Sequence, residues 1–168
     1  IGALIVSEKL VLKSMIKGGG QEMNRRAGTE NVAGIIGFGA AAQFAADDLI
    51  HASDIARLRD RLQNELRMIA HDNAVVVGAD VGRVANTLCI ALRNVASETQ
   101  VVAMDLAGVA VSAGSACSSG KVKSSHVLKA MGYDQDIAGS ALRLSLGWST
   151  TPADIDRCVE AWRKLYQN

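Results

Sequence analysis

Residues 141–166 read ALRLSLGWSTTPADIDRCVEAWRKLY, and they decide the fold class because a strand pattern passes directly into a helix pattern. Within them LRLSL, at 142–146, alternates leucine with polar residues. That period of two predicts a strand whose leucines face one side while Arg143 faces the other. TPAD at 151–154 supplies a Thr cap, a Pro at the first helical position and an acid in the first turn, which together predict a helix start. One face of this final helix is predicted to carry the apolar residues Ile155, Val159, Trp162 and Tyr166.

Short strands and helices are also mixed upstream of this stretch. Apolar, β-favouring runs predict strands at 75–77, 87–92 and 109–113, and helical patterns are found at 98–108 and at 125–131, where Gly132 ends the helix. This mixture predicts a small α+β domain over residues 71–168.

A long amphipathic helix precedes that domain, with Ser53 as its predicted N-cap. Its apolar positions are spaced three or four residues apart, at Ile55, Leu58, Leu62, Leu66 and Ile69. We place the domain division near residue 70, so that residues 1–70 are the remnant of a larger domain together with this linking helix.

The N-terminal part is predicted to contain a short buried strand at 3–6, a loop at 18–31 rich in Gly, Arg and Asn, and a buried helix at 31–49. The chain opens directly on an apolar run at Ile1 without an initiator Met. We therefore expect it to be a fragment of something longer.

Composition restricts the function classes. The 168 residues carry a formal net charge of +1 and are 49% hydrophobic, so a sizeable core is expected and a nucleic-acid-binding stripe is not. No apolar run approaches the roughly 18 residues of a membrane span, so no membrane partner is expected. Three cysteines are too few for a disulfide framework and indicate a cytoplasmic protein.

AGSACSSG at 113–120 surrounds Cys117 with small residues, which leaves this thiol accessible to a substrate. Either Cys117 is a nucleophile on an adaptable loop, or it is an incidental surface cysteine. Cys89 lies in an apolar run and Cys158 on a helix, so both are interpreted as structural.

His126 follows the loop and either assists chemistry or caps a short helix.

Two further segments have a functional and a simpler interpretation. RAGTEN at 26–31 precedes a predicted helix, so Thr29 and the helix N-terminus suit a phosphate or carboxylate, or else Thr29 or Asn31 merely caps the helix. Arg143 either binds a carboxylate through its planar fork or faces solvent on a half-exposed strand.

Three apparent motifs lack the required context. GFGAAA at 37–42 matches a dinucleotide fingerprint, yet no convincing strand precedes it. The glycines from Gly114 to Gly120 are one residue too far apart for a phosphate-binding loop. The three histidines show no metal-ligand spacing with each other or with the cysteines.

Four segments stand out by their order and spacing: GGGQE (18–22), RAGTEN (26–31), SAGSACSSG (112–120) and LRLSLG (142–147). Together they resemble group I, NifS/IscS-like cysteine desulfurases of the class V aminotransferase family, and the resemblance covers essentially the whole chain. The resemblance implies the C-terminal part of an α/β pyridoxal-phosphate-dependent transferase of fold type I, the aspartate aminotransferase-like fold, working as a homodimer. Such enzymes convert L-cysteine to L-alanine and leave a persulfide for a sulfur-acceptor or scaffold protein.

Carried over by position, the resemblance makes Cys117 the nucleophile, Arg143 the ligand of the substrate carboxylate and Thr29 a contact to the cofactor phosphate of the other subunit. It also places the Schiff-base lysine before Ile1, so we expect an incomplete enzyme that is inactive alone. Two other hypotheses remain open at this point. One is a non-catalytic sulfur carrier or scaffold, which the reading frame upstream of Ile1 would distinguish, and the other is a dinucleotide-binding module at Gly37 and Gly39.

Overall fold

The structure, a computed structural model, describes residues 1–114 and 124–167. The chain divides into two compact units, Ile1–Ile50 and His51–Asn168. The second unit therefore begins about one helix earlier than the division expected near residue 70. The long amphipathic helix belongs to this unit because its apolar face contributes to the core of the sheet domain.

Residues 1–20 of the first unit form neither helix nor strand, so the strand predicted at 3–6 is wrong. Its apolar side chains are also not buried, since Leu4 is 79% exposed and Ile5 is 97% exposed. An apolar run forms a strand only when a neighbouring strand accepts its backbone hydrogen bonds. None of the strands in the described part of the chain pairs with this segment.

The loop predicted at 18–31 is confirmed, except that it contains one short helical turn, α1 (Gln21–Asn24). Within this turn Glu22 and Met23 have left-handed φ values of 51° and 54°. Helix α2 (Val32–Asp48) follows, as predicted, and Asn31 caps it: the Asn31 side chain accepts a hydrogen bond from the Gly34 N–H at 3.0 Å.

The burial predicted for this helix is wrong, because α2 has no buried residue. Ile36 is 68% exposed and Phe44 is 70% exposed. The sequence predicts burial from apolar composition, whereas burial also needs a partner surface, and the first unit supplies none for these side chains.

The helical stretch Val32–Asn73 is, by length and composition, a candidate to cross a membrane. This differs from the expectation that no segment approaches that length, because the many Ala residues raise the mean hydropathy of the stretch without forming a run of large apolar side chains. One such helix is weak support for a membrane span, and none of its apolar window is buried.

The second unit combines four strands with five helices in the part of the chain that the structure describes. In chain order they are α3 (Ala52–Ala70), β1 (Ala74–Val76), β2 (Thr87–Leu92), α4 (Ser97–Leu106), β3 (Ser112–Ala113), α5 (His126–Ala130), α6 (Gln135–Ser140), β4 (Ala141–Ser145) and α7 (Pro152–Gln167). All the predicted strands and helices of residues 71–168 are present, with shifted ends. Helix α6 is the addition, and it contains Gly139, a residue that is unfavourable within a helix.

The strands form one antiparallel sheet in the order β1-β2-β4-β3. Its first face carries Leu88, Ile90, Leu142 and Leu144, and it packs against α3, α4 and α7. These helices and strands share the main core, in which Trp162 is fully buried. The alternation predicted for 142–146 is confirmed, since the leucines are buried while Arg143 and Ser145 are exposed.

The second face of the sheet is covered only in part. Helices α5 and α6 pack over Ala91 and Ala141 and form a smaller core with Leu128 and Ile137. Toward the other end of β2 and β4, this face presents polar side chains instead.

The capping predicted for the start of α7 is confirmed, whereas that predicted for α3 is wrong. Thr151 and Asp154 cap the start of α7 reciprocally: Asp154 accepts from the Thr151 N–H at 2.9 Å, and its own N–H donates to Thr151 Oγ1 at 3.4 Å. Ser53 is not the cap of α3, because the helix begins one residue earlier, at Ala52, after the 3₁₀ turn Leu49–His51. That turn continues into α3, so no chain break leaves a site for a side-chain cap.

Candidate functional site

Arg143 lies on the second face of the sheet, in the part that α5 and α6 leave open. The sheet register places it directly opposite Cys89 on β2 and directly opposite Ser112 on β3. Side chains at directly opposed positions point to the same face, with Cβ atoms about 4.5–5.5 Å apart. Cys89, Arg143 and Ser112 therefore form one row across three strands, called the Arg143 row below.

The strand that carries Arg143 is held rigidly. The buried amide of Gln100 on α4 donates hydrogen bonds to the carbonyls of Ser140, at 2.6 Å, and Val95, at 2.7 Å. Ser140 immediately precedes β4, so this side chain ties the start of the strand to α4. The leucines of β4 are anchored in the main core beneath it.

The Arg143 guanidinium makes one hydrogen bond within the described residues: Nη2 donates to the Ser112 hydroxyl at 3.4 Å. It takes part in none of the ion pairs among those residues, whereas Arg61 and Arg93 each contact two carboxylates. A guanidinium has five N–H donors, so most of those of Arg143 remain for a bound carboxylate.

Cys89 is half-buried beside this guanidinium. Burial raises the pKa of the Cys89 thiol, and the positive charge of Arg143 partly offsets the rise. Cys158 is 5% exposed within the main core, and burial raises the pKa of its thiol to about 12. A nucleophilic cysteine must ionise and be reached by its substrate, so neither position suits that role, in agreement with their structural interpretation.

Cys117 falls outside the described residues, so the prediction that it is a nucleophile stays a prediction. The chain reaches that segment directly from β3, and Ala113 precedes Cys117 by four residues. The phosphate-loop near-match that starts at Gly114 also lies mostly in the undescribed segment.

His126 is the exposed first residue of α5, and Ser125 caps that helix by accepting from the Leu128 N–H at 3.3 Å.

Thr29 lies in the first unit, exposed and two residues before the cap of α2. Of the two capping residues that the sequence allowed, Asn31 performs the capping, which leaves the Thr29 hydroxyl outside that interaction. The preceding Gly28 has a φ of 94°, a left-handed conformation that favours glycine and turns the chain before Thr29.

Two other kinds of site can be judged from the described residues. Gly37 and Gly39 lie inside α2 rather than in a strand-to-helix turn, so the dinucleotide-binding hypothesis is wrong. No cluster of three or more potential metal ligands occurs in the described part of the chain.

The residues present fit a pyridoxal phosphate site in part. An exposed hydroxyl that is free of capping, at Thr29, suits a phosphate oxygen, and the open guanidinium of Arg143 suits an amino-acid carboxylate. A covalent anchor would need a lysine held in a pocket. Every lysine with a described position is exposed instead, namely Lys9, Lys13, Lys17, Lys129 and Lys164.

Comparison with known proteins places these residues in a family. The sequence model of the class-V aminotransferases matches residues 1–158. The chain is 43% identical over 161 residues to a cysteine desulfurase of Gluconacetobacter diazotrophicus and 40% identical over 163 residues to cysteine desulfurase 2 of Trichormus variabilis. Each match covers 95% of this chain and 40% of the relative.

Solved structures agree with the sequence matches. The crystal structure of a NifS-like protein from Rickettsia africae superposes with a TM-score of 0.80 at 33% sequence identity, covering 95% of this chain and 41% of that one. The chain thus spans about 40% of the length of the relatives it matches. It belongs to the class-V aminotransferase family, has part of the pyridoxal-phosphate-dependent transferase fold of type I, and within that family is similar to NifS-like cysteine desulfurases.

Proposed function

We propose that this chain carries the sulfur-accepting cysteine and the substrate-binding arginine of a pyridoxal-phosphate-dependent cysteine desulfurase. In the proposed reaction the thiol of Cys117 takes the sulfur of L-cysteine, L-alanine is released, and Cys117 is left as a persulfide. Atoms balance, since one sulfur moves from substrate to protein and the substrate Cβ gains a hydrogen in exchange for its thiol.

The position of Arg143 carries the proposal. Its guanidinium is exposed on a rigid strand, has no carboxylate partner among the described residues, and keeps donors free for a bidentate contact. Buried leucines and Gln100 fix the strand from below, so the base of this side chain has a defined position. In this proposal Arg143 binds the α-carboxylate of L-cysteine.

Chain connectivity limits how far the proposed nucleophile can lie from Arg143. Ser112, directly opposite Arg143, lies five residues before Cys117 in the sequence. A chain spans at most about 3.6 Å per residue, so the four-residue step from Ala113 limits the separation of its Cα from that of Cys117 to roughly 14 Å. The two thiols with described positions are poor alternatives, because burial raises the pKa of each.

The cofactor would supply the electron sink that weakens bonds at the substrate Cα. This chain would contribute the Thr29 hydroxyl to the cofactor phosphate of the other subunit of a homodimer. Arg143 would hold the carboxylate, and Cys117, as a thiolate, would attack sulfur. Glycine, serine and alanine around Cys117 would let the persulfide move from the substrate site to an acceptor protein in the reducing cytoplasm.

The acceptor would use this sulfur for iron–sulfur cluster or thio-cofactor assembly. The alternative, a sulfur carrier or scaffold that takes sulfur from another protein, differs in one measurable respect. A desulfurase forms L-alanine and persulfide in equal amounts from L-cysteine, whereas a carrier forms persulfide only from a persulfide donor.

The test is to incubate the complete gene product with pyridoxal phosphate and L-cysteine, measure L-alanine, and map the persulfide by mass spectrometry. Persulfide on the peptide containing Cys117 with matching L-alanine supports the proposal. Persulfide from a small-molecule donor without any L-alanine from L-cysteine would favour the carrier. Alanine formation with the persulfide on Cys89 or Cys158 would refute the assignment of the nucleophile.

A further inference from the structure

The Arg143 row has a hydrogen-bonding residue on one flank of the guanidinium and a thiol on the other. Ser112, half-buried on β3, accepts the 3.4 Å hydrogen bond from Arg143 Nη2. Cys89 on β2 lies on the other flank and makes no hydrogen bond to the guanidinium. Ser112 is therefore the side chain that hydrogen-bonds to Arg143 among the described residues.

An arginine side chain loses rotamer entropy when it is fixed. An exposed arginine without an ion-pair partner would otherwise sample many directions above the sheet. A hydroxyl fixed on the neighbouring strand reduces that freedom while occupying only one of five N–H donors. The remaining donors still offer the paired geometry that a carboxylate accepts.

The backbone gives Ser112 the stability that such a role requires. Two register pairs, Ser112 with Arg143 and Ala113 with Leu142, join β3 to β4. Ala113 is 7% exposed and belongs to the main core, and α4 packs against both β3 and β4. Strand pairing and packing thus fix the position of the Ser112 hydroxyl beside the guanidinium.

We propose that Ser112 is a positioning residue for the proposed substrate carboxylate site, acting through Arg143 by pre-orienting its guanidinium. This inference rests on the proposed function, because it assumes that Arg143 binds the substrate carboxylate and makes Ser112 the residue that orients Arg143 for that contact. It identifies a hydroxyl on the strand before the cysteine segment as a determinant of affinity for the amino-acid substrate.

The test compares Ser112→Ala with Ser112→Thr in the complete gene product, with Ser145→Ala as the matched control. Ser145 lies on the same strand and face as Arg143, and it is exposed and two residues away. Ser112→Ala is expected to raise KM for L-cysteine about three- to tenfold, the effect of one lost hydrogen bond, with kcat nearly unchanged. Ser112→Thr, which keeps the hydroxyl, and Ser145→Ala are expected to retain the KM of the unmodified protein.

A double-mutant cycle with Arg143→Ala separates positioning from a general structural effect. If Ser112 acts through Arg143, Ser112→Ala has no further effect on KM once Arg143 is alanine. A KM increase that persists in that background, or that Ser112→Thr fails to restore, overturns the inference. The inference is also overturned if Arg143→Ala raises KM while Ser112→Ala leaves KM unchanged. That result would leave the proposed function intact. If Arg143→Ala itself leaves KM unchanged, the proposed role of Arg143 fails and the positioning role with it.

Discussion

Arg143 and Cys89 lie directly opposite each other in the β2–β4 ladder, on the open part of the second sheet face. Burial raises the pKa of the Cys89 thiol, and the charge of Arg143 acts in the other direction. The thiol is therefore a built-in reporter of the charge at the proposed carboxylate site. Removing the positive charge should raise the Cys89 pKa further and leave less thiolate at any given pH.

Arg143→Leu is accordingly expected to slow the alkylation of Cys89 by iodoacetamide at mildly alkaline pH, whereas Arg143→Lys keeps the charge and should react nearly as fast as the unmodified chain. The measurement is peptide mapping by mass spectrometry in a Cys117→Ser background, which removes the competing thiol. The same rate in Arg143→Leu and in the parent would show that the two side chains do not interact in solution.

The identity of the nucleophile is tested by replacing each cysteine in the complete gene product. Cys117→Ala is expected to abolish sulfide release from L-cysteine while cofactor binding persists, because the thiolate that receives sulfur is lost. Cys158→Ala serves as the control and should reduce stability at most, since this thiol lies in the core. Near-normal sulfide release by Cys117→Ala would reject the assignment.

Arg143→Lys tests the planar fork separately from the charge. An ammonium group cannot bind a carboxylate in the same bidentate geometry, and a lost hydrogen bond to a charged group costs about 1.5–3 kcal/mol. The KM for L-cysteine is therefore expected to rise by roughly ten- to a hundredfold. Steady-state kinetics on folded variants decides this, and an unchanged KM and turnover would restore the solvent-facing interpretation of Arg143.

The buried thiol of Cys158 should make the free energy of unfolding depend on pH in the alkaline range. Burial raises its pKa from 9.0 to about 12, so the unfolded chain releases the proton at lower pH than the folded one. Its contribution to the free energy of unfolding is complete below pH 9.0 and is lost as pH rises toward 12. Urea unfolding across this range should show a smaller decline for Cys158→Ala than for the parent, and equal declines would contradict the assigned burial.

The exposure of the described lysines predicts how the 168-residue chain responds to added pyridoxal phosphate. Reduction with borohydride and peptide mapping should find weak adducts distributed over surface lysines such as Lys9, Lys13 and Lys17, all of which are exposed. Sulfide release from L-cysteine should not exceed that of the free cofactor. A stoichiometric adduct on one lysine, with cysteine turnover, would mean that this chain itself contains the cofactor lysine, contrary to the expectation.

Much of the second unit could be predicted from local pattern. The Thr151 and Asp154 cap, and the alternation around Arg143, depend on residues within a few positions of each other, and the structure confirms both. Helix α6 was missed because Gly139 within it disfavours a helix. Asp134, whose side chain accepts from the Ile137 N–H at 2.8 Å, was nevertheless a usable capping signal.

The sequence by itself determined the family resemblance, the α+β class, and the candidate roles of Cys117, Arg143 and Thr29, because motifs and periodicity are encoded between near neighbours. The tertiary structure decided what depends on partners distant in the chain. The long helix belongs to the second unit, and α2 has no buried residue. Residues 3–6 have no neighbouring strand among the described residues. The tertiary structure also aligned Cys89, Arg143 and Ser112 in one row, because strand register is set by side-chain packing across the sheet and not by any local feature of the three separate segments.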